Sequence, residues 1–149
     1  MKILFVCAGN TCRSPMAEAM MNRKLEEAGR EDVVCASAGT HVWPGDLAAH
    51  DTVEEMERRG IRLEGRPARQ LTLPMVMEAD WILTMTEGVS QAVLALFPQS
   101  EGKVRTLCAC VGEAGDVDDP SGCDEQVYHE TADQIDGLLD KLMTKIEQE

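Results

Sequence analysis

No apolar run in this 149-residue chain is long enough to cross a bilayer or to form the hydrophobic stretch of an export signal, so the expected location is the cytoplasm. There are no internal repeats, low-complexity tracts or linkers, and the length suits a single domain over residues 1–149. The chain has no Gly-Lys-Ser/Thr triplet after Gly9, which excludes a nucleotide-type phosphate loop. It has one glycine there where a dinucleotide fingerprint needs three, and no Cys-x-x-Cys pair for a thioredoxin-like site. Basic residues are scarce in the second half. Met1 to Leu71 holds ten basic and eleven acidic residues, whereas Thr72 to Glu149 holds four and sixteen, giving −1 and −12 of a net −13. That balance argues against nucleic acid and against an anionic membrane as partners, and is compatible with a cationic protein substrate.

Six cysteines are present. Without an export signal they are expected to be reduced thiols, some of them catalytic, in place of a disulfide framework. Cys108, Cys110 and Cys123, with His41, His50 and His129, do not fall at zinc-ligand spacings, so neither a metal nor any other cofactor is expected.

The stretch with most chemistry is Lys2 to Met16. Ile3 to Val6 is an unbroken run of β-formers, as in a strand buried on both faces. Gly9 and Asn10 tolerate a positive φ, and Ser14-Pro15 reads as an N-cap followed by a proline at the first helical position. Cys7 therefore sits at the end of a strand and Arg13 at the threshold of a helix, with a loop of successive backbone N–H groups between them. Such a loop is an anion nest, and nest, helix start and Arg13 all favour a thiolate. The plainer alternative is a buried structural cysteine beside a surface arginine. Strand, glycine, arginine and helix start in that sequence argue against it.

The remainder alternates. A helix follows the loop to Ala28, then a strand over Val33–Ala38 and a loop over Gly39–Gly45. A helix over Ala48–Arg59 leads to an arginine-rich turn at Arg66-Pro67-Ala68-Arg69, which reads as a solvated face, and to a short helical piece over Pro74–Glu78. Strands are expected over Trp81–Met85 and Lys103–Leu107, flanking a helix over Glu87–Phe97. Gly112 to Gly122 is an acidic loop, and Ile135, Leu138, Leu139, Leu142, Met143 and Ile146 share one face of a C-terminal helix. Alternation of this kind gives a three-layer α/β domain with a parallel sheet, whose ligands bind outside the carboxyl ends of the strands, where Cys7 falls.

Cys7-Ala8-Gly9-Asn10-Thr11-Cys12-Arg13-Ser14-Pro15 resembles the signature loop of the low-molecular-weight protein tyrosine phosphatases and their protein-arginine phosphatase relatives. The resemblance covers essentially the whole chain and implies a four-stranded, flavodoxin-like sheet. It implies a phosphoprotein phosphatase that acts through a phosphocysteine on Cys7 and releases inorganic phosphate. Residues 8–14 would hold the phosphoryl group, with Arg13 as its clamp. By itself Asp119 reads as a turn-initiating or helix-capping aspartate. The resemblance makes it the general acid, as the aspartate before Pro120, while Asp116 and Asp118 do not precede the proline. Ser14 matches a serine that donates to the nucleophile, and Asn10 an asparagine that holds the loop's strained turn. Cys12 matches a cysteine that can trap oxidised Cys7 as a disulfide; the alternative is an inert small residue.

Substrate class is divided between two residues. Thr11 stands where the tyrosine branch carries an aliphatic residue and the arginine branch a threonine. Trp43 is either a folded-back plug or, as the tyrosine branch implies, an aromatic wall, and Ser121 replaces the aromatic residue that usually follows Asp-Pro. The reading leans to phosphoarginine, with phosphotyrosine as the alternative. A thiol-linked arsenate reductase would need further cysteines between Met75 and Gln91, which has none, and a cysteine phosphocarrier would leave Arg13, Ser14 and Asp119 surplus.

Overall fold

The computed structural model describes all 149 residues, Met1–Glu149. Strands β1 (Lys2–Cys7), β2 (Val34–Gly39), β3 (Trp81–Thr84) and β4 (Val104–Thr106) form one parallel sheet in the order β2-β1-β3-β4. Helices α1 (Arg13–Glu27), α2 (His50–Arg58), α3 (Leu73–Glu78), α4 (Glu87–Leu96), α5 (Leu107–Cys110) and α6 (Glu125–Glu147) connect and cover it. None of them is long and apolar enough to cross a membrane.

The apolar run of β1 is explained by its central place. Side chains alternate across a strand, so Ile3, Phe5 and Cys7 enter a core shared with Met16, Met20 and Met21 of α1 and with Ile135, Leu139 and Leu142 of α6. Leu4 and Val6 enter the core on the opposite face, with Val76 of α3 and with Val89 and Val93 of α4. The chain leaves β1 for β2 on one side and later returns for β3 on the other. The carboxyl end of β1 is therefore a topological switch point, where ligands of open α/β sheets bind.

Several boundaries differ from the sequence reading for physical reasons. Gly39 is the last residue of β2, not the start of a loop. Ala48 and Ala49 stay outside α2: Ala49 is its N-cap with extended backbone (ψ 148°), and their N–H groups bond the carbonyls of Arg66 (2.8 Å) and Thr11 (3.0 Å). Strand β4 stops at Thr106, whose hydroxyl accepts from Ala109 N at 3.0 Å and starts the short α5, so Leu107 is helical.

Candidate active site

The loop from Cys7 to Arg13 is shaped by one strained residue. Asn10 is the only non-glycine residue with positive φ, at 55°, and it is fully buried. Every polar atom of its side chain is engaged. Asn10 Nδ2 donates to Ser14 Oγ at 2.8 Å and to Ser37 Oγ at 3.0 Å, while Asn10 Oδ1 accepts from Arg66 Nη1 at 3.1 Å and Arg69 N at 2.9 Å. Such over-determination is what allows a sparsely populated backbone conformation to persist. Gly9, expected to share that role, does not have a positive φ.

Cys7 is buried, with Ser14 Oγ 2.8 Å and Asn10 N 3.3 Å from its sulfur. Ser14 does not cap the helix as its sequence position suggested. Helix α1 starts two residues earlier, at Arg13, its N-cap is Cys12 with no side-chain cap bond, and no acidic residue lies in the first turn. The helix start is left to an anion, and the Ser14 hydroxyl is turned to the thiol.

Arg13 is buried and aimed. Its Nη1 donates to Val117 O at 2.9 Å, its Nη2 lies 3.9 Å from Asp119 Oδ2, and its Nε is buried with no protein acceptor. Val117 N in turn donates to Met85 O at 2.8 Å, so the acidic loop is pinned to the residue that follows β3 on one side and to Arg13 on the other. Asp119 is thus brought to the same arginine as the phosphate loop. Burial pushes its carboxyl up, but the Ser121 N–H at 3.0 Å, the Ser121 hydroxyl and Arg13 outweigh it and hold the group below its ordinary range. The Asx-type turn expected from its sequence is also present, through that same Ser121 N–H. Asp116 is occupied elsewhere, accepting from Glu87 N at 3.0 Å, and the α6 cap is Asp124, not Asp119.

Other residues are placed differently from expectation. The arginine-rich turn is not a solvated face: the Arg66 side chain is 8% exposed and lies behind the loop, although Arg69 is about half exposed. Trp43 is 77% exposed, which excludes the folded-back plug. Cys12 Sγ contacts Tyr128 OH at 3.4 Å, Ser121 Oγ at 3.5 Å and Thr11 Oγ1 at 3.7 Å, a set that shares no atom with the partners of Cys7 Sγ. All six cysteines are free thiols.

Sequence reasoning missed Glu18, Ser37, Gly39 and Arg66. A Cβ on Gly39 would lie 2.5 Å from Ala8 O and 3.0 Å from Asn10 N, so the end of β2 presses directly on the phosphate loop. Glycine directly after a strand was the one available signal. Glu18 and Arg66, far apart in the chain, offered none.

A buried thiol at the mouth of a parallel sheet, with a loop N–H at its sulfur and a buried arginine and an aspartate nearby, is an arrangement suited to a cysteine-dependent phosphatase. Residues 2–149 match the family described as low molecular weight phosphotyrosine protein phosphatase, and the chain belongs to that family. It is 37% identical to the protein-arginine-phosphatase of Bacillus subtilis over 150 residues, covering 100% of this chain and 99% of that one. It is 32% identical to a low molecular weight protein-tyrosine-phosphatase of Staphylococcus epidermidis, over 99% of this chain and 100% of that one. A solved arginine phosphatase, a Cys-to-Ser variant with its active-site serine phosphorylated, superposes with a TM-score of 0.95 at 36% identity, covering 100% of this chain and 97% of that one.

Proposed function

We propose that the protein removes phosphoryl groups from arginine side chains of proteins, with Cys7, Arg13 and Asp119 carrying the reaction. The Cys7 thiolate attacks phosphorus, and the bond from phosphorus to the guanidine nitrogen breaks as Asp119 delivers a proton to that nitrogen. The loop N–H groups and the Arg13 fork hold the equatorial oxygens through the charge build-up, and the unpartnered Arg13 Nε supports that role. Asp119, now a carboxylate, takes a proton from water as its oxygen attacks the phosphocysteine. The S–P bond breaks, inorganic phosphate leaves, and the thiolate is restored. Support for the covalent step comes from the solved relative that carries its phosphoryl group on the residue replacing cysteine.

Thr11 carries the choice of phosphoarginine. Its backbone is fixed by the Ala49 N–H, and its hydroxyl has one long contact, to Cys12 Sγ at 3.7 Å, so it is free to meet a guanidinium nitrogen that an alkyl wall would leave unpaired. The uncovered ring of Trp43 supports phosphotyrosine as the second reading. A buried unpaired polar group costs about 1–3 kcal/mol, enough for about a tenfold change in preference. Thr11→Ile should lower kcat/KM on phosphoarginine peptides and spare phosphotyrosine peptides, read as a ratio within each enzyme so that general damage cancels. An unchanged ratio would remove Thr11 as the selector and leave Trp43 as the better guide.

A further inference from the structure

We propose that Tyr128 and Ser121, meeting at the Cys12 sulfur, tie the acidic loop to the phosphate loop and so position Asp119 to deliver its proton to the leaving group. The inference rests on Asp119 being the general acid; it is independent of which phosphorylated side chain is the substrate.

The acidic loop is held unevenly on the two sides of Asp119. Upstream, Asp116 Oδ1 accepts from Glu87 N at 3.0 Å, Asp116 O accepts from Gln134 Nε2 at 3.1 Å, and Val117 bonds both Arg13 Nη1 and Met85 O. Downstream, between Asp119 and the α6 cap Asp124, a single hydrogen bond joins the loop to another element, and it runs between Ser121 Oγ and Cys12 Sγ at 3.5 Å. The Asp119 side chain is half exposed, and its ion pair with Arg13, at 3.9 Å, is too long for a hydrogen bond and sets no orientation. What orients the carboxylate is Ser121, whose N–H donates to Asp119 Oδ1 at 3.0 Å. The place of Ser121 is therefore the place of the acid.

Tyr128 secures the far side of the sulfur. It is the chain's one tyrosine, buried near the start of α6, and its hydroxyl lies 3.4 Å from Cys12 Sγ. Burial, and then the Cys12 sulfur, push that hydroxyl above its ordinary range, so it keeps its proton at any working pH. The tyrosine O–H can thus donate to the sulfur, the thiol proton to Ser121 Oγ, and the Ser121 hydroxyl to Asp119, on whose carboxylate it already acts. The remaining neighbour of the sulfur, Thr11 Oγ1 at 3.7 Å, belongs to the phosphate loop itself and ties nothing to Asp119. Tyr128 and Ser121 are positioning residues, acting through Asp119, and neither touches the groups that hold phosphate.

The test compares kcat/KM on phenyl phosphate, whose leaving group needs a proton, with kcat/KM on dinitrophenyl phosphate, whose leaving group departs without one. Tyr128→Phe keeps the ring and removes only the hydroxyl. It should lower kcat/KM on phenyl phosphate by about three- to tenfold, the loss expected for one hydrogen bond, and leave dinitrophenyl phosphate within about twofold of wild type. Ser121→Ala should show the same contrast, and it serves if Tyr128→Phe does not fold, since Ser121 is exposed. Both esters carry an aromatic ring, so a changed ring contact cancels in the comparison. In an Asp119→Asn background either substitution should cost less than about twofold on phenyl phosphate, because the acid it positions has been removed. Wild-type rates on phenyl phosphate, equal losses on the two esters, or a loss that persists in Asp119→Asn would overturn the proposal. Asp119→Asn alone tests the underlying reading: it should harm phenyl phosphate far more than dinitrophenyl phosphate, and equal harm would remove Asp119 as the acid, and the role of the tie with it, whatever Tyr128→Phe shows.

Discussion

In the proposed mechanism Asp119 is the residue whose charge state governs the leaving-group step. Its carboxyl is held below the ordinary range, so the free enzyme carries it ionised at neutral pH, while a general acid must carry a proton. The fraction able to donate therefore falls as pH rises. For a poor leaving group, the ratio of kcat/KM between wild type and Asp119→Asn should shrink steadily from acidic to neutral pH, substrate ionisation cancelling in the ratio. A ratio independent of pH would show that Asp119 does not deliver the proton. Asp119→Ala should also slow release of the phosphocysteine. With a leaving group that departs unprotonated, intact-mass measurement should find phosphoryl adduct accumulating on Cys7. Gly39 makes a steric prediction at the same scale. A methyl group there meets backbone at 2.5 Å, so Gly39→Ala should displace the loop at Ala8 and Asn10 and cut kcat about tenfold or more, the loss that misplaced catalytic groups bring. Wild-type kcat in Gly39→Ala would show that the loop has slack.

Among the elements, those that build the sheet were legible in the sequence, because each follows from local pattern: β-formers at Ile3 to Val6, helical spacing from Ala17 to Leu25, and the apolar face of α6. Cys7 and Arg13 were legible for the same reason, being joined by one short loop. Asp119 needed the family likeness, since an aspartate before proline is ordinarily a turn. Arg66, Glu18 and Ser37 could not be found, because their meaning lies in pairings between α1, β2 and a turn far along the chain. The same holds for the clasp between α2 and α6. Glu55 of α2 has a side chain only 1% exposed, and it accepts from Arg58 at 3.1 Å, Arg59 at 2.7 Å and His129 of α6 at 3.2 Å, while Arg59 also reaches Asp133 at 2.6 Å. Burial pushes the Glu55 carboxyl up, but Arg59 and His129 outweigh it, and the group lies below its ordinary range. A depressed carboxyl stabilises the fold above its unfolded pKa, about 4.3 for glutamate, and that contribution is lost as pH falls through the folded value. Glu55→Gln should destabilise by about 1–3 kcal/mol at neutral pH in denaturant titrations, and the gap to wild type should narrow as pH falls below about 4. A gap that stays constant down to acidic pH would mean that the ion pairs add nothing beyond packing.

At the scale of the whole molecule, charge and fold act on the substrate at different distances. The net −13 attracts cationic protein segments from afar, an effect screened beyond about 8 Å at physiological salt, so added salt should slow capture of lysine-flanked peptides more than of neutral ones. Chemistry is decided within the single cradle at the end of β1, where the sheet's switch point, the uncapped start of α1 and the pinned acidic loop converge. In the proposed mechanism that cradle handles a phosphoryl group irrespective of what bears it, and the choice between arginine and tyrosine is assigned to Thr11, Trp43 and Ser121. Initial rates of the wild-type enzyme on two peptides identical except for phosphoarginine or phosphotyrosine therefore test the account most directly. It predicts kcat/KM higher on the phosphoarginine peptide by about tenfold or more. A preference for the phosphotyrosine peptide would contradict it.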